Sequence, residues 1–238
     1  MAKRKPRRKS KKKTRFRWRL WLLVALTVPV VAGVLLTLPL RWLDPATTAF
    51  ILRDDSGRVP VFQEWREWSE LGSAAVLAVV AAEDQRFTDH FGIDFRAIRR
   101  SVAAAGNGGS LRGASTITQQ VAKNLYLWSG RSFLRKALEA WLALNLDFFL
   151  PKKRILEIYL NVAEFAPGVY GVPAASRHFF AKAPSELTDT EAALLAAVLP
   201  NPARLRPDRP SPKMSERQSW ILGHVKRLRR EDWLATLE

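Results

Sequence analysis

The sequence predicts a mainly α-helical domain held behind a single N-terminal apolar span. Three observations carry that prediction. Leu20 to Leu40 are 21 consecutive uncharged residues between Arg19 and Arg41. From Leu71 onward, apolar residues recur at helical spacing through a succession of capped segments. Strand-like alternation of apolar and polar residues is scarce. With 238 residues, 47% of them hydrophobic, the chain has enough material for one folded domain and an appendage. The absence of cysteine excludes disulfides, a thiol nucleophile and a thiolate-bound metal.

The N-terminal stretch accounts for most of the charge. Residues 1–19 hold 12 Lys or Arg and no acid, leaving 27 of the 39 basic residues against all 22 acidic ones, a body charge of only +5. At about 1.5 Å per residue the span just crosses a hydrocarbon core of about 30 Å. Trp18, Trp21 and Trp42 lie near its ends, and Pro29 can kink it. A cleaved signal peptide would have an apolar core of about 7–15 residues and a shorter basic region, so an uncleaved anchor is expected. The charge asymmetry makes 1–19 a cytoplasmic tail, 20–40 a transmembrane helix and 41–238 the outer part. A basic run beside a span suits anionic lipid headgroups, and no nucleic-acid partner is expected.

Residues 41–70 are expected to be a linker with short extended segments, Thr48 to Phe62 forming an extended piece or hairpin around Asp55-Ser56-Gly57. The domain, 71–238, is expected to contain helices at Leu71–Ala82, Asp94–Ala105, Thr116–Leu127, Ser132–Leu150, Pro151–Val162, Ala174–Phe180, Thr188–Leu199 and Pro212–Leu228. Asp94 suits a cap, Thr188-Asp-Thr-Glu191 reads as a capping box, and Pro151 fits a first turn. The stretch 103–110, Ala-Ala-Ala-Gly-Asn-Gly-Gly-Ser, is either a lid or a tether.

Chemistry concentrates in Gly113-Ala-Ser-Thr-Ile-Thr-Gln-Gln-Val-Ala-Lys-Asn124. Ser115 or Thr116 can cap a helix on which Gln120, Lys123 and Asn124 share a face. Hydroxyls at a helix N-terminus with a lysine two turns on suit phosphate or pyrophosphate; the plain alternative is a solvated polar face. Glu83 directly follows an apolar helix, where desolvation raises a carboxyl pKa toward that of a working base. Negative charge at a helix C-terminus is unfavourable, so Glu83 and Asp84 need a reason beyond pairing with Arg86. Glu139 shares one helix edge with Arg131 and Arg135, while Leu134, Leu138, Trp141 and Leu142 make the core side. An Arg135–Glu139 pair alone is worth a few tenths of a kcal/mol, about 0.3. Together with Lys123, however, the two arginines give three cations for one polyanion. Glu157 reads as a buried, paired acid and His90 as structural. No Walker loop, zinc-type histidine spacing or Asp-x-Asp pair is present.

Four blocks resemble, in order, the signature motifs of the peptidoglycan glycosyltransferases, glycosyltransferase family 51: Glu83-Asp-Gln-Arg-Phe-Thr-Asp-His-Phe-Gly-Ile-Asp94, Gly113 to Asn124, Arg135-Lys-Ala-Leu-Glu139, and Lys152-Lys-Arg-Ile-Leu-Glu-Ile-Tyr-Leu-Asn161. A fifth, Ala175-Ser-Arg-His-Phe-Phe-Ala-Lys182, departs from the family pattern, which favours Tyr at 179 and Gly at 181. The resemblance covers Val61 to Pro202 and is to the monofunctional, membrane-anchored type. It implies a lysozyme-like helical fold that polymerises lipid II into linear glycan, in the bacterial inner membrane with the catalytic domain in the periplasm. Glu83 then matches the general base toward the acceptor hydroxyl, Lys123 and Arg131 match binders of the donor pyrophosphate, and Glu139 matches the acid near the leaving group, acting with Mg²⁺ or another divalent cation. Ser115, Gln119, Gln120, Asn124, Arg135 and Lys136 align with cleft residues, Glu157 with a structural acid, and Phe95 to Arg112 with a mobile jaw. Lipid II, the growing glycan chain, membrane lipid and other cell-wall synthesis proteins are the implied partners. Two rival readings stay open: a lysozyme-like glycan-cleaving enzyme, which has no need of Lys123 and Arg131, and a non-catalytic membrane scaffold, which tolerates Glu83→Gln.

Overall fold

The computed structural model describes residues 12–58, 60–106, 114–130 and 132–237. The expectations for Gly113, Arg131, the stretch 107–112 and the first 11 residues of the tail fall outside them. In chain order the elements are α1 (Lys12–Thr37), β1 (Phe62–Gln63), α2 (Ser73–Glu83), α3 (Phe95–Gly106), α4 (Ile117–Tyr126), α5 (Phe133–Phe149), α6 (Lys152–Val162), β2 (Glu164–Ala166), β3 (Val169–Tyr170), α7 (Gly171–Phe180), α8 (Asp189–Val198) and α9 (Pro212–Arg230), with short 3-10 turns between several of them. Every expected helix is present.

Their ends follow from capping. Asp94 accepts the N–H groups of Arg96 and Ala97 at 2.8 and 2.9 Å, opening α3. Thr116 and Gln119 cap α4 reciprocally, as Thr188 and Glu191 cap α8. Pro151 stands one residue outside α6 as its cap rather than inside the first turn.

α2 is apolar on all sides, so no face of it can meet water, and Ala74 through Ala81 are all buried. α8 and α9 enclose it, while α4 packs on α5 and α6. The only sheet among the described residues is small: β3 is central, parallel to β1 and antiparallel to β2.

α1 continues into a 3-10 turn at Leu38–Arg41. Within this stretch, Leu23–Arg41 has a mean hydropathy of 2.4 and is the one helix among the described residues long and apolar enough to cross a membrane. Leu26, Val28, Val30 and Leu35 are exposed, a surface suited to lipid rather than water. The other side of α1 docks on the body. Gly33 lies so close to Asn145 of α5 that a Cβ would collide with it, and the Tyr126 hydroxyl donates to the Leu36 carbonyl.

Residues 41–70 are bound to the body rather than left as a free linker. Arg154 donates to the carbonyls of Leu40 and Leu43 and pairs with Asp44 at 2.7 Å. The N–H groups of Ala49 and Phe50 bond the carbonyls of Leu125 and Asn124. The expected extended piece or hairpin is instead a 3-10 turn at Ile51–Arg53, then a turn in which Asp54 accepts from Ser56, then β1, whose partner is the distant β3. The pairing is long-range, and local sequence does not announce it.

Ala181 closes α7 in the left-handed conformation, at φ 55° and ψ 32°. Glycine adopts that conformation freely, whereas a Cβ there costs about 1–2 kcal/mol, which explains why the family pattern favours glycine at this position. Ala181→Gly should therefore stabilise the fold by about 1 kcal/mol, read as a rise in Tm of about 2–4 °C in thermal denaturation.

Candidate active site

Burial of α2 delivers its last residue, Glu83, to the edge of the core with its side chain only 15% exposed. One carboxylate oxygen accepts from Gln120 Nε2 of α4 at 2.9 Å, and the other accepts from Arg217 Nη2 of α9 at 3.2 Å. The amide of Gln120 is itself oriented, because its oxygen accepts the hydroxyl of the fully buried Tyr159 at 3.0 Å. Desolvation pushes the Glu83 pKa up and Asp84 adds to the rise, while Gln120, Arg217 and Lys123 pull against it. The outcome is a carboxylate raised toward the range of a working base.

Asp84 serves a different purpose. Its carboxylate accepts the N–H of Ile117 at 3.0 Å, at the N-terminus of α4, and both its oxygens lie 3.0 Å from His90 Nε2. An acid that looks misplaced at the end of α2 thus sits at the start of α4, where negative charge is favoured. Arg86 pairs with Asp89 and Asp94, so it does not neutralise the Glu83–Asp84 pair. The Thr116 hydroxyl donates to the Gly92 carbonyl at 2.6 Å, and Asp147 of α5 accepts from Gly92 N, Thr118 and Lys152. The loop after α2 is thereby clamped to α4 and α5.

Lys123 stands one turn beyond Gln120 and makes no hydrogen bond or ion pair to the described residues; its ammonium lies 5.1 Å from the Phe50 ring. Burial pushes its pKa down, Glu139 and Glu83 push it up, and Arg135 and Lys136 lower it further. Glu139 is 3% exposed, with one oxygen 2.6 Å from Arg135 Nη1 and the other bonded to Lys136. Lys136 also donates to Ser115 at 3.0 Å. Lys123, Arg135 and Lys136 thus gather around one buried acid, an excess of positive charge. A cavity of about 370 Å³ beside α2 is lined by Glu83, Asp84, Arg86, Arg100, Ser115 and Trp220, among others.

The structure sorts the sequence-predicted residues. Glu83, Gln120, Lys123, Ser115, Arg135, Lys136 and Glu139 form one hydrogen-bonded or electrostatically coupled group. Gln119 does not face it: at 2% exposure, its oxygen accepts the Thr116 N–H within the α4 cap. Asn124 is buried, and its carbonyl holds the segment before β1. Arg131 lies outside the described residues. Glu139 is on the buried side of α5, whereas Leu134, expected in the core, is 68% exposed and Phe133 is 98% exposed. The rest of the expected core side holds, with Leu142 buried and Leu138 and Trp141 packed against the core, so only the first turn of α5 projects away from it. Glu157 is buried and paired as expected, accepting from Trp68 N at 2.6 Å and from Arg154 at 2.7 Å. Sequence reasoning missed Arg217, Tyr159 and the capping role of Asp84; only the position of Asp84 beside a helix end gave a local signal.

Residues 57–226 match the family described as Transglycosylase. The chain belongs to that family. This transglycosylase is 42% identical over 229 residues to a protein of Pseudomonas aeruginosa named biosynthetic peptidoglycan transglycosylase, covering 94% of this chain and 96% of the relative. Proteins of the same name from Shewanella amazonensis and Shewanella frigidimarina are 48% identical over 219 residues and 51% identical over 180 residues. The alignments span 90% and 76% of this chain, and 87% and 78% of those relatives.

The donor set at Glu139 does not fit a resident divalent cation. Its two oxygens are engaged by Arg135 and Lys136, and among the described residues no group of three or more His, Asp or Glu could hold a metal.

Because burial raises the pKa of Glu83, the stability it contributes is full below the ordinary glutamate range and is lost as pH rises through the elevated folded-state value. Glu83→Gln should accordingly raise Tm near neutral pH, with the gain vanishing in acid. Thermal denaturation of both proteins across pH checks this.

Proposed function

We propose that this transglycosylase polymerises lipid II into linear glycan strands of peptidoglycan by inverting transfer, with Glu83 as general base. The observation that supports it most is a recessed, raised-pKa carboxylate in a cavity shared with Ser115, next to a lysine with no ion pair among the described residues and two further cations. An acceptor 4-hydroxyl has a pKa far above neutrality and needs a base as it attacks. Each Glu83 oxygen has one donor and keeps lone-pair capacity for the incoming proton. The new bond forms between the acceptor 4-hydroxyl oxygen and the anomeric carbon of the donor N-acetylmuramic acid. The bond from that carbon to the diphosphate breaks, the proton goes to Glu83, and undecaprenyl diphosphate leaves. Attack from the face opposite the leaving group gives the β-1,4 link.

Charge on the departing diphosphate needs cations fixed in place before the reaction, and Lys123, Arg135 and Lys136 are so placed; the motif resemblance adds Arg131 to that role. With both its oxygens held by cations, Glu139 orients them rather than delivering a proton. No step is routed through a metal ion; a divalent cation would have to arrive with the diphosphate. In this reading α1 anchors the enzyme in the membrane where its lipid-linked substrate lies, and the basic tail supports a cytoplasmic N-terminus with the catalytic domain on the outer face of the inner membrane. Membrane lipid, and other cell-wall synthesis proteins alongside it, complete the proposed partners.

Detergent-solubilised protein incubated with labelled lipid II should yield a ladder of glycan chains resolved by size. Glu83→Gln should lower the rate by about 10²–10⁴ and Lys123→Ala by about 10²–10³. Shortening of preformed glycan would identify a hydrolase, and substrate binding with no polymer from the intact protein would identify a scaffold.

A further inference from the structure

α9 reaches the carboxylate oxygen of Glu83 that Gln120 leaves free. α9 lies across α2 and α8, held by Gln218 to the Thr190 carbonyl at 2.9 Å, Arg227 to Gln85 at 3.1 Å, and Arg229 to Asp189. This fixed register brings Arg217 under the end of α2, where Nη2 bonds both Glu83 Oε1 at 3.2 Å and the Ala82 carbonyl at 3.3 Å. Its Nε is buried and makes no bond to the described residues, so the side chain is held by its contacts at Glu83.

We propose that Arg217 is the positioning residue for Glu83: it locks the carboxylate against Gln120 and keeps it ionised while the diphosphate donor is bound. The proposal rests on the reading of Glu83 as base. Among the described residues, the charged and titratable groups around Glu83 are Asp84 beside it, Lys123 on α4, Tyr159 on α6 and Arg217 on α9, with Arg86, Asp94 and Arg100 lining the same cavity. The desolvated setting and Asp84 both disfavour the anion, so ionisation depends on the Gln120 hydrogen bond and, after it, on the cations Arg217 and Lys123. Lys123 cannot serve throughout the cycle. When a diphosphate occupies the cation group, its negative charge offsets Lys123 and adds repulsion toward Glu83. Arg217 stands outside that group and bonds none of its members, so its charge remains available to Glu83 in the loaded enzyme. Two donors on different carboxylate oxygens also fix the plane of the group, leaving the remaining lone pairs toward the cavity.

The test is the pH profile of kcat and kcat/KM for lipid II polymerisation by the full-length protein, with Arg217→Met, Arg217→Lys and Glu83→Gln variants and their Tm values. For Arg217→Met the acid limb should move to higher pH, because the base loses a cation and protonates more readily, and plateau kcat should fall by up to about 10²-fold. Arg217→Lys preserves the charge and most of the packing; it should keep the limb near its original pH while kcat falls, since one ammonium does not reproduce the fork. An acid limb unmoved in Arg217→Met, or moved equally in Arg217→Lys, overturns the proposal. If Arg217→Met does not fold, the Lys variant decides alone: a limb in place with reduced kcat supports the role, and a displaced limb overturns it. Polymerisation that survives Glu83→Gln would instead overturn the reading of Glu83 as base. Loss in Glu83→Gln with an unmoved limb in Arg217→Met would overturn Arg217 only.

Discussion

The site depends on burying a helix that has no polar face. α2 can exist only inside the core, so its C-terminal end is located by the packing of α8 and α9 rather than by a flexible loop. An acid at that end inherits the rigidity of the core and its low polarizability, the two properties a general base needs. The adjacent acid makes the arrangement tolerable: by capping α4, Asp84 converts an unfavourable charge at one helix end into a favourable one at another. The same bond sets the distance between Glu83 and Gln120, because both helices are fixed to one carboxylate pair.

Charge in the site is separated by the same architecture. Glu139 is a buried anion whose desolvation is offset by Arg135 and Lys136, and removing either partner would leave charge exposed to a low dielectric. Lys123 is left out of that pairing, one turn from Gln120, where burial weakens its hold on a proton and Glu139 and Glu83 act on it only at a distance. An anionic ligand between the two carboxylates would find the cations preorganised, with little side-chain ordering left to perform.

Much of this was legible in the sequence, and the failures have physical reasons. Caps are local, three-residue signals, so Asp94, Thr116 and Thr188 could be read directly. The position of Glu83 followed from the apolar run before it. Arg217 could not be found that way: its partner lies 134 residues away, and its own helix carries many basic residues that look alike in sequence. Adjacent glutamines were equally ambiguous. Gln119 and Gln120 differ by about 100° around α4, which places one inside the cap and the other on Glu83. Leu134 misled because it continues the stripe of Leu138, Trp141 and Leu142, yet the first turn of α5 projects beyond the core, which periodicity does not reveal. Residues 41–70 have weak local preference, and their structure is set by distant carbonyls and by the strand pairing of β1 with β3.

The docking of α1 extends this logic to the membrane. Tyr126, which bonds the Leu36 carbonyl, lies three residues after Lys123 on α4; Asn145, which packs on Gly33, lies on α5 beyond Glu139. Arg41 adds a bond to the Phe149 carbonyl at the end of α5. Both helices that carry the cations are therefore held by the anchor itself. A lipid-linked diphosphate has its headgroup at a height set by the bilayer, so an enzyme that processes it gains from cations fixed at that height. A flexible tether would let the domain sample many heights and would dilute the productive one. Here the contacts of α1 at Gly33, Leu36 and Leu40 fix the cations relative to the apolar helix, and Glu83 follows because Gln120 and Asp84 tie it to α4.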